Sequence, residues 1–220
     1  MELANEQPGY VHIVAIDVSD ELFPEKHPKN ISFKHHSVTE LPAEWTGKFH
    51  FVHQRLLTVA LRAAEWPIAI AEIFRVLKPG GAVQLIELDF PNWPKATQAD
   101  RMRDEITEIL TKKKGLMYDC ASKLPQMLRK AGFMEIQTET KLMPVGRNSG
   151  EYGPLGRDGF VGAFRAMKQR FIEANGFQYM RSDIDYEQIM DALAKEWDEA
   201  RFGQYLPAIL VCARKPLAAL

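Results

Sequence analysis

The segment from Trp66 to Asp89 constrains the fold more than any other part of the chain. Its first half carries apolar residues at helical spacing, and that pattern stops at Lys78-Pro79-Gly80-Gly81, a strong helix terminator. The second half, Ala82–Leu88, is an apolar strand of seven residues that ends at Asp89. A helix followed at once by a buried strand is the repeating unit of α/β proteins.

The remaining apolar patterns extend this alternation of strands and helices. Further strands are predicted at Val11–Asp17, Ile31–His36, Phe49–His53, Phe133–Leu142 and Tyr205–Ala213. Further helices are predicted at Ala96–Lys113, Ser122–Ala131, Phe160–Ala174 and Tyr186–Arg201, with a glycine-rich loop at Gly150–Gly159. The order favours a mostly parallel sheet with helices on both faces. Pro207 favours an edge strand or a strand start.

The stretch HIVAIDVSD places an acid, Asp17, at the end of an apolar strand. A carboxylate in this position accepts hydrogen bonds from ribose hydroxyls in nucleotide-binding α/β domains. Such domains carry a glycine-rich turn about 20 residues upstream. Only sixteen residues precede Asp17, and Gly9 is the one glycine among them, so the expected loop is missing from this sequence.

Composition narrows the class of function. The chain has 220 residues, of which 46% are hydrophobic, and a formal net charge of −1, so we expect neither nucleic acid nor an anionic membrane as a partner. Cys120 and Cys212 lie far apart in unrelated contexts and indicate neither a disulfide framework nor a metal site. No secretory leader or membrane-spanning run is evident, which predicts a cytoplasmic protein.

The order of these pieces resembles the class I S-adenosylmethionine-dependent methyltransferases, and most closely the fungal small-molecule type. The resemblance rests on GKFHFVHQRLL and WPIAIAEIFRVLKPGGAVQLIELDF, and covers residues 1–142 with 205–214. It implies a Rossmann-like sheet whose first strand and GxGxG loop would lie upstream of Met1, leaving neighbouring strands to expose their edges or to pair with each other. We expect one domain, 1–220, with a core of 1–145 and 204–216 and a helical lid or insertion at 146–203.

The resemblance also implies where the cofactor S-adenosylmethionine would bind. Asp17, with its neighbour Val18, would hold the ribose, although an acid after a strand can also cap the next turn. Ser37, followed by Val38, stands where the family often has an acid for the adenine amino group, and His50 replaces another frequent acid. Gln54 and Arg55 end the third strand, where open parallel sheets bind ligands, but they could equally begin a surface loop.

Two residues are candidates for catalysis. His53 is the best general base, because an ordinary histidine accepts a proton near neutral pH. Glu87, with Asp89 two residues later, could orient a substrate amine or hydroxyl, although acids at strand ends are commonly solvated.

His35 and His36 point to opposite faces of their strand, so a shared metal ion is not expected. Tyr152, Phe160, Phe164 and Trp197 form either the walls of a lid or the ordinary core of a helical subdomain.

The resemblance therefore implies methyl transfer to an O, N or S nucleophile of a small molecule, in secondary-metabolite biosynthesis. Because the sulfonium is already a good leaving group, catalysis is chiefly alignment and requires no obligatory side chain. A second hypothesis is a cofactor-free scaffold that forms homo- or hetero-oligomers through exposed strand edges. An NAD-linked oxidoreductase is a third hypothesis, and a longer natural form that carries the upstream strand is a fourth.

Overall fold

The structure is a computed structural model that describes residues 11–21, 23–93, 101, 104–105, 107–173 and 182–217. Its strands are β1 (Ile13–Asp17), β2 (Ile31–His35), β3 (Phe49–Arg55), β4 (Leu77–Leu88), β5 (Met134–Val145) and β6 (Gln204–Arg214). Its α-helices are α1 (Glu65–Val76), α2 (Cys120–Lys130), α3 (Gly153–Ala166), α4 (Lys168–Glu173) and α5 (Asp183–Glu199). Short 3-10 turns at Ala43–Trp45 and Phe90–Asn92 and a π-helical turn at Ile109–Lys113 complete the described elements.

The strands divide into two sheets. β1 pairs with β2 in parallel, and a separate four-stranded sheet has the order β3-β4-β6-β5. β3 is parallel to β4, and β6 is antiparallel to both of its neighbours, so β3, β4 and β5 run in one direction and β6 runs in the other. The larger sheet is therefore mixed, with most of its strands parallel as expected. β1 and β3 do not pair with each other, and each leaves one edge unpaired within the described residues.

Helices α1 and α2 cover one face of the larger sheet. Their apolar sides meet Val83 and Leu85 of β4 and Val211 and Ala213 of β6, and all four side chains are almost fully buried. The core includes Trp66, Ile70, Ile73, Leu124 and Leu128 from the two helices. This packing confirms the helical pattern that begins at Trp66 and ends before Pro79.

Helices α3, α4 and α5 form a second core at the carboxyl end of β4. We call them the helical unit. Leu88, Met143 and Leu206 connect the sheet to this core, and they belong to the face opposite Val83 and Leu85. The α/β architecture with helices on both faces is therefore confirmed.

The glycine-rich segment 150–159 is not the predicted loop. Helix α3 begins at Gly153 and runs through the segment. A Cβ atom at Gly156 would collide with the carbonyl oxygen of Pro144, and one at Gly153 with the carbonyl oxygen of Gly146. These glycines therefore allow a helix to lie directly on the backbone that ends β5, a use of glycine that composition alone does not distinguish from a loop.

Several predicted boundaries shift. β4 begins at Leu77, so LKPGG lies inside a strand whose pairing with β3 is irregular between Phe49 and Phe51. The predicted helix Phe160–Ala174 is divided at Met167, and Ala174 lies outside the described residues. Much of the predicted helix Ala96–Lys113 also lies outside them. Pro207 is near the start of β6, which is a central strand.

None of the helices among the described residues is long and apolar enough to cross a membrane. Within the same residues, no three His, Cys, Asp or Glu side chains come together in a group able to hold a metal ion.

Candidate functional site

The predicted cofactor residues lie at the carboxyl ends of the parallel strand pairs. Asp17 is the last residue of β1 and Val18 follows it, while Ser37 and Val38 come shortly after the neighbouring strand β2. Gln54 and Arg55 end β3 beside β4. The structure therefore brings the four residues at the ends of β1 and β2 together, but places Gln54 and Arg55 in the other sheet.

Asp17 presents an exposed carboxylate. Its Oδ1 accepts a hydrogen bond from the backbone N–H of Ser19 at 3.1 Å, while Oδ2 has no partner within the described part of the chain. The adjoining backbone is also held, because His35 Nε2 lies 2.7 Å from the carbonyl oxygen of Val18. Asp17 therefore combines a fixed turn with one free acceptor atom. Val18 itself is 66% exposed and offers an apolar surface next to it.

Ser37 is engaged in its own turn. Its hydroxyl oxygen accepts from the backbone N–H of Thr39 at 3.2 Å and lies 2.7 Å from the Thr39 hydroxyl. This arrangement leaves limited capacity for a further hydrogen bond. Val38 is partly buried against the core beneath α1 and α2.

Gln54 carries an unsatisfied amide. The residue is only 8% exposed, and neither Nε2 nor Oε1 has a hydrogen-bond partner among the described residues. An unpaired buried polar group costs about 1–3 kcal/mol, so native structures rarely keep one without a reason. A side-chain amide offers both a donor and an acceptor at one point. Arg55, the next residue, points to solvent.

His53 lies on the sheet face opposite Gln54. Its Nδ1 is 3.0 Å from Oε1 of Gln84, the residue that pairs with it across the β3–β4 ladder. Because an amide oxygen only accepts, Nδ1 carries the proton and Nε2 is left as the basic nitrogen. The orientation of the Gln84 amide agrees with this, since its Nε2 lies 3.7 Å from Sγ of Cys212.

Glu87 is buried at the end of β4. Its Oε1 accepts from the backbone N–H of Leu57 at 3.0 Å, and Oε2 accepts from the backbone N–H of Thr58 at 2.9 Å and from the Thr58 hydroxyl at 2.7 Å. Burial raises the pKa of Glu87 from 4.5 to about 7 against the opposing effect of these bonds. Because the side chain has an exposed fraction of 0%, the carboxyl cannot contact a substrate directly. It fixes the segment after β3 and can affect a substrate only through the position of that segment.

Cys120 extends this buried network. Its Sγ lies 3.1 Å from the Thr58 hydroxyl, which already donates to Glu87, so the thiol donates to the hydroxyl. Burial, together with the nearby Glu87 charge, raises the pKa of the Cys120 thiol to about 12. A thiol with such a pKa is not a nucleophile near neutral pH.

Asp89 and Trp93 line a crevice at the carboxyl end of β4. Its walls are completed by Leu88, Phe90, Leu206 and Pro207, and they stand too close together to admit a water molecule. Asp89 Oδ2 accepts from the amide of Asn92 at 2.9 Å, but Oδ1 has no partner among the described residues. The indole N–H of Trp93 is unsatisfied in the same way.

Trp93 was not among the residues predicted from the sequence, and only its position four residues after Asp89 could have suggested it.

The four aromatic residues that were candidates for the walls of a lid lie in different surroundings. Phe164 and Trp197 are core residues of the helical unit with 3% exposure each, and Tyr152 points to solvent at 66%. Of these four, Phe160 contacts a residue of the crevice, because its ring lies edge-on to Trp93 with centroids 4.9 Å apart.

The two catalytic candidates do not form a pair. His53 shares a sheet face with Gln84, whereas Glu87 points to the opposite face with Val83 and Leu85. The two residues therefore cannot act on the same atom as a pair, and any effect of Glu87 on a substrate is indirect.

Comparisons with known proteins agree with the fold. A family model described as a methyltransferase domain matches residues 1–81. The methyltransferase grgD of a Penicillium species is 32% identical over 98 residues, which cover 44% of this chain and 34% of that protein. The N-methyltransferase gliN of Aspergillus fumigatus is 25% identical over 221 residues, covering 93% of this chain and 74% of that protein. The chain thus spans about a third of the length of the first of these relatives.

A solved structure has a similar fold. Phosphoethanolamine N-methyltransferase 2 of Haemonchus contortus, in complex with phosphomonomethylethanolamine and S-adenosylhomocysteine, superposes with a TM-score of 0.54. The two chains are 13% identical, and the match covers 94% of this chain and 44% of the other. At this identity the likeness establishes a shared fold.

Proposed function

Since the chain is a homologue of the fungal class I S-adenosylmethionine-dependent methyltransferases, we propose that it transfers a methyl group from S-adenosylmethionine to an O, N or S nucleophile of a small molecule. The secondary-metabolite setting is part of this proposal, and it is supported by a fungal relative from Coprinopsis cinerea that is named a secondary metabolism regulator. The observation that carries the proposal is the buried amide of Gln54, which lacks a partner at the strand end where this fold binds ligands.

The residues present fit S-adenosylmethionine. The free Oδ2 of Asp17 can accept from a ribose hydroxyl, and Ser37 follows the adjacent strand, on the adenine side. The Gln54 amide can donate to the carboxylate of the methionine part or accept from its ammonium group. When bound, the cofactor supplies an electrophilic methyl group on a sulfonium.

His53 and Glu87 take different roles in this proposal. The cofactor would supply the methyl carbon that the lone pair of the acceptor atom attacks, and the electron pair of the broken carbon–sulfur bond would stay on sulfur. The proton that the acceptor atom loses passes to Nε2 of His53, which is the basic nitrogen of that ring. Glu87 acts as a positioning residue, because it holds the backbone of Leu57 and Thr58 just beyond Arg55.

Isothermal titration with S-adenosylhomocysteine tests the proposal. The wild-type chain should give saturable heat, and Asp17→Asn should weaken binding about 10- to 100-fold, the value of a hydrogen bond to a charged group. Glu151→Gln, which removes an exposed carboxylate from the start of the helical unit, should bind as the wild type does. Absence of heat at millimolar ligand, or unchanged binding by Asp17→Asn, would contradict the proposal.

One observation favours a second candidate, a partner or scaffold role without the cofactor. Among the described residues, β1 and β3 each have an edge with no partner strand, and the backbone hydrogen-bonding groups of such an edge are templates for pairing with another chain. Phe51 on β3 is 52% exposed, which adds an apolar surface. Light scattering combined with a methylation assay tests this role: a strictly monomeric species that methylates a substrate would exclude it.

A further inference from the structure

The two sheets are joined by the linker that follows β2, residues 36–48. Within the described part of the chain no strand pair links one sheet to the other. The proposed cofactor residues are divided between the sheets, with Asp17 and Ser37 at the ends of β1 and β2 and Gln54 near the end of β3. Contacts other than strand pairing must therefore fix the relative position of these residues, and the linker makes several of them.

Glu72 and Arg75 of α1 hold the backbone of Leu41 in the linker. Oε2 of Glu72 accepts from the backbone N–H of Leu41 at 2.7 Å, and Nη2 of Arg75 donates to the carbonyl oxygen of Leu41 at 2.9 Å. The two side chains also bond each other twice, from Nε and Nη2 of Arg75 to Oε1 and Oε2 of Glu72, at 2.8 and 2.7 Å. We call this pair the clamp. Because it satisfies both backbone polar groups of one residue, it fixes the orientation of the linker as well as its position.

Arg75 extends the clamp along the linker. Its Nη1 donates to the Thr46 hydroxyl at 2.7 Å and to the carbonyl oxygen of Pro42 at 3.4 Å, and its own carbonyl oxygen accepts from the backbone N–H of Gly47 at 3.0 Å. The Arg75 and Glu72 side chains are 29% and 19% exposed, and the hydrogen bond from Arg75 lowers the pKa of Glu72. The clamp is thus a partly buried network of charge-assisted bonds, which holds more firmly than one exposed ion pair.

The clamp stands on a fixed helix. Ile70 and Ile73 anchor α1 on the larger sheet, and each is 1% exposed. A row of rings runs beside the clamp: Trp45 lies edge-on to His36, directly after β2, and to Phe49, the first residue of β3, with centroids 5.3 and 5.4 Å apart. The linker is therefore the place where α1 and the larger sheet set the position of β2.

We propose that Glu72 and Arg75 are positioning residues for the cofactor, and that they align the residues at the ends of β1 and β2 with Gln54 on β3. The inference rests on the proposed methyltransferase function and adds two residues that act through the backbone of the linker. A ligand that contacts both sheets gains affinity from its second contact only when the sheets are held at the matching distance. Loss of the clamp should therefore weaken a ligand that spans the sheets and spare one that contacts the β1–β2 sheet alone.

Isothermal titration with two ligands tests the proposal. S-adenosylhomocysteine carries both the nucleoside and the amino-acid part, whereas adenosine carries the nucleoside alone and addresses Asp17 and Ser37. The wild-type chain should bind S-adenosylhomocysteine about 10- to 100-fold more tightly than adenosine, the value of a hydrogen bond from Gln54 to a charged group. Arg75→Met should lower this affinity ratio about fivefold or more and leave adenosine affinity within about twofold of the wild type.

Arg165→Met is the matched control. Arg165 also bonds two carboxylates, those of Glu187 and Asp191, but it does so within the helical unit. Its loss removes a similar ion-pair network and should leave the affinity ratio unchanged. Glu72→Gln keeps an acceptor for Leu41 and loses the charge that faces Arg75, so it should lower the ratio about twofold or more. This milder variant carries the test if Arg75→Met does not fold.

The outcomes separate the two levels of the proposal. An unchanged ratio in folded clamp variants, or an equal loss of both ligands, would overturn the positioning role while the proposed function stands. Equal affinity of the wild-type chain for the two ligands would also overturn it, because no second contact would then need alignment. Binding of neither ligand by the wild-type chain would contradict the proposed function itself, and the positioning role with it.

Discussion

The hydroxyl of Thr58 donates a hydrogen bond of 2.7 Å to the carboxylate of Glu87, across the gap between the segment after β3 and the end of β4. Both side chains are buried, and the same carboxylate also accepts from two backbone N–H groups. Leu56, two residues before Thr58, has a left-handed backbone with φ of 59°. Glu87 thus fixes a segment that begins with an unfavourable conformation at the strand end proposed for ligand binding.

The raised pKa of Glu87 predicts a pH-dependent stability. With a pKa of about 7 in the folded state against 4.5 ordinarily, the folded chain keeps a proton that the unfolded chain loses. Its contribution is therefore fully present below pH 4.5 and is lost as the pH rises to about 7. The free energy of unfolding should fall by about 3 kcal/mol over this window, at about 1.4 kcal/mol per pH unit. Urea unfolding at a series of pH values measures the fall.

The variant Glu87→Gln tests whether the titration of Glu87 causes this fall in the free energy of unfolding. An uncharged amide removes the titration, so the fall across the window should shrink by most of its size. The variant should also be less stable at low pH, because its NH2 group faces a backbone N–H donor of Leu57 or Thr58. Glu151→Gln serves as the exposed control. An identical pH profile in wild type and Glu87→Gln would contradict the assignment.

Gln54→Leu should separate stability from ligand binding. Replacing two unsatisfied buried polar atoms with an apolar side chain of similar length should raise the free energy of unfolding by about 1–3 kcal/mol. The same change should weaken S-adenosylhomocysteine binding, because the amide is proposed to contact the cofactor. Thermal unfolding and calorimetry measure the two effects. A stabilised variant that binds the ligand normally would show that Gln54 has no role in the site.

The sequence predicted the elements on which this site is built, because they follow from local patterns. The helix that begins near Trp66, the strand before Asp89 and the strand before Asp17 all appear within a few residues of the expected bounds. Their end positions were also predicted, since strand ends follow from where apolar runs stop. Partnership between distant residues was not predictable, and this includes the bonds from Leu57 and Thr58 to Glu87.

Gly156→Ala should destabilise the helical unit. The added Cβ would overlap the carbonyl oxygen of Pro144, a backbone atom that cannot rotate away, and overpacking of this kind costs about 1–3 kcal/mol. Gly162→Ala, in the same helix, meets no atom within 4 Å and should stabilise the chain by about 0.5–1 kcal/mol. Urea unfolding of both variants gives the comparison. Equal effects in the two would show that α3 does not lie on the end of β5.

The two thiols should differ in reactivity. Cys120 is fully buried and its pKa is raised to about 12, whereas Cys212 is partly exposed. Iodoacetamide at mildly alkaline pH should therefore modify Cys212 first, and Cys120 only after unfolding. Mass spectrometry of the digested protein identifies the modified position, with Cys212→Ser as the control. Rapid modification of Cys120 in the folded chain would show that the Thr58–Glu87 network is open to solvent.

The failures of prediction have a common physical cause. The glycine-rich segment 150–159 was expected to be a loop because glycine disfavours helices locally, but contact with the end of β5 outweighs that preference. The mixed pairing of β6 depends on which strands are neighbours, which periodicity does not contain. The complementary atoms of Asp89 and Trp93 became visible only when burial and hydrogen-bond partners were known.

The direct contact of α3 with the backbone at the end of β5 also bears on which positions of this helix can vary. Gly153 and Gly156 bring the helix against main-chain atoms, so part of its anchorage does not depend on side-chain identity; the rest comes from buried side chains such as Phe164. The exposed positions Tyr152 and Leu155, which are 66% and 70% exposed, lie outside both kinds of contact. Substitutions there can accumulate while the position of the helix on the sheet is inherited unchanged.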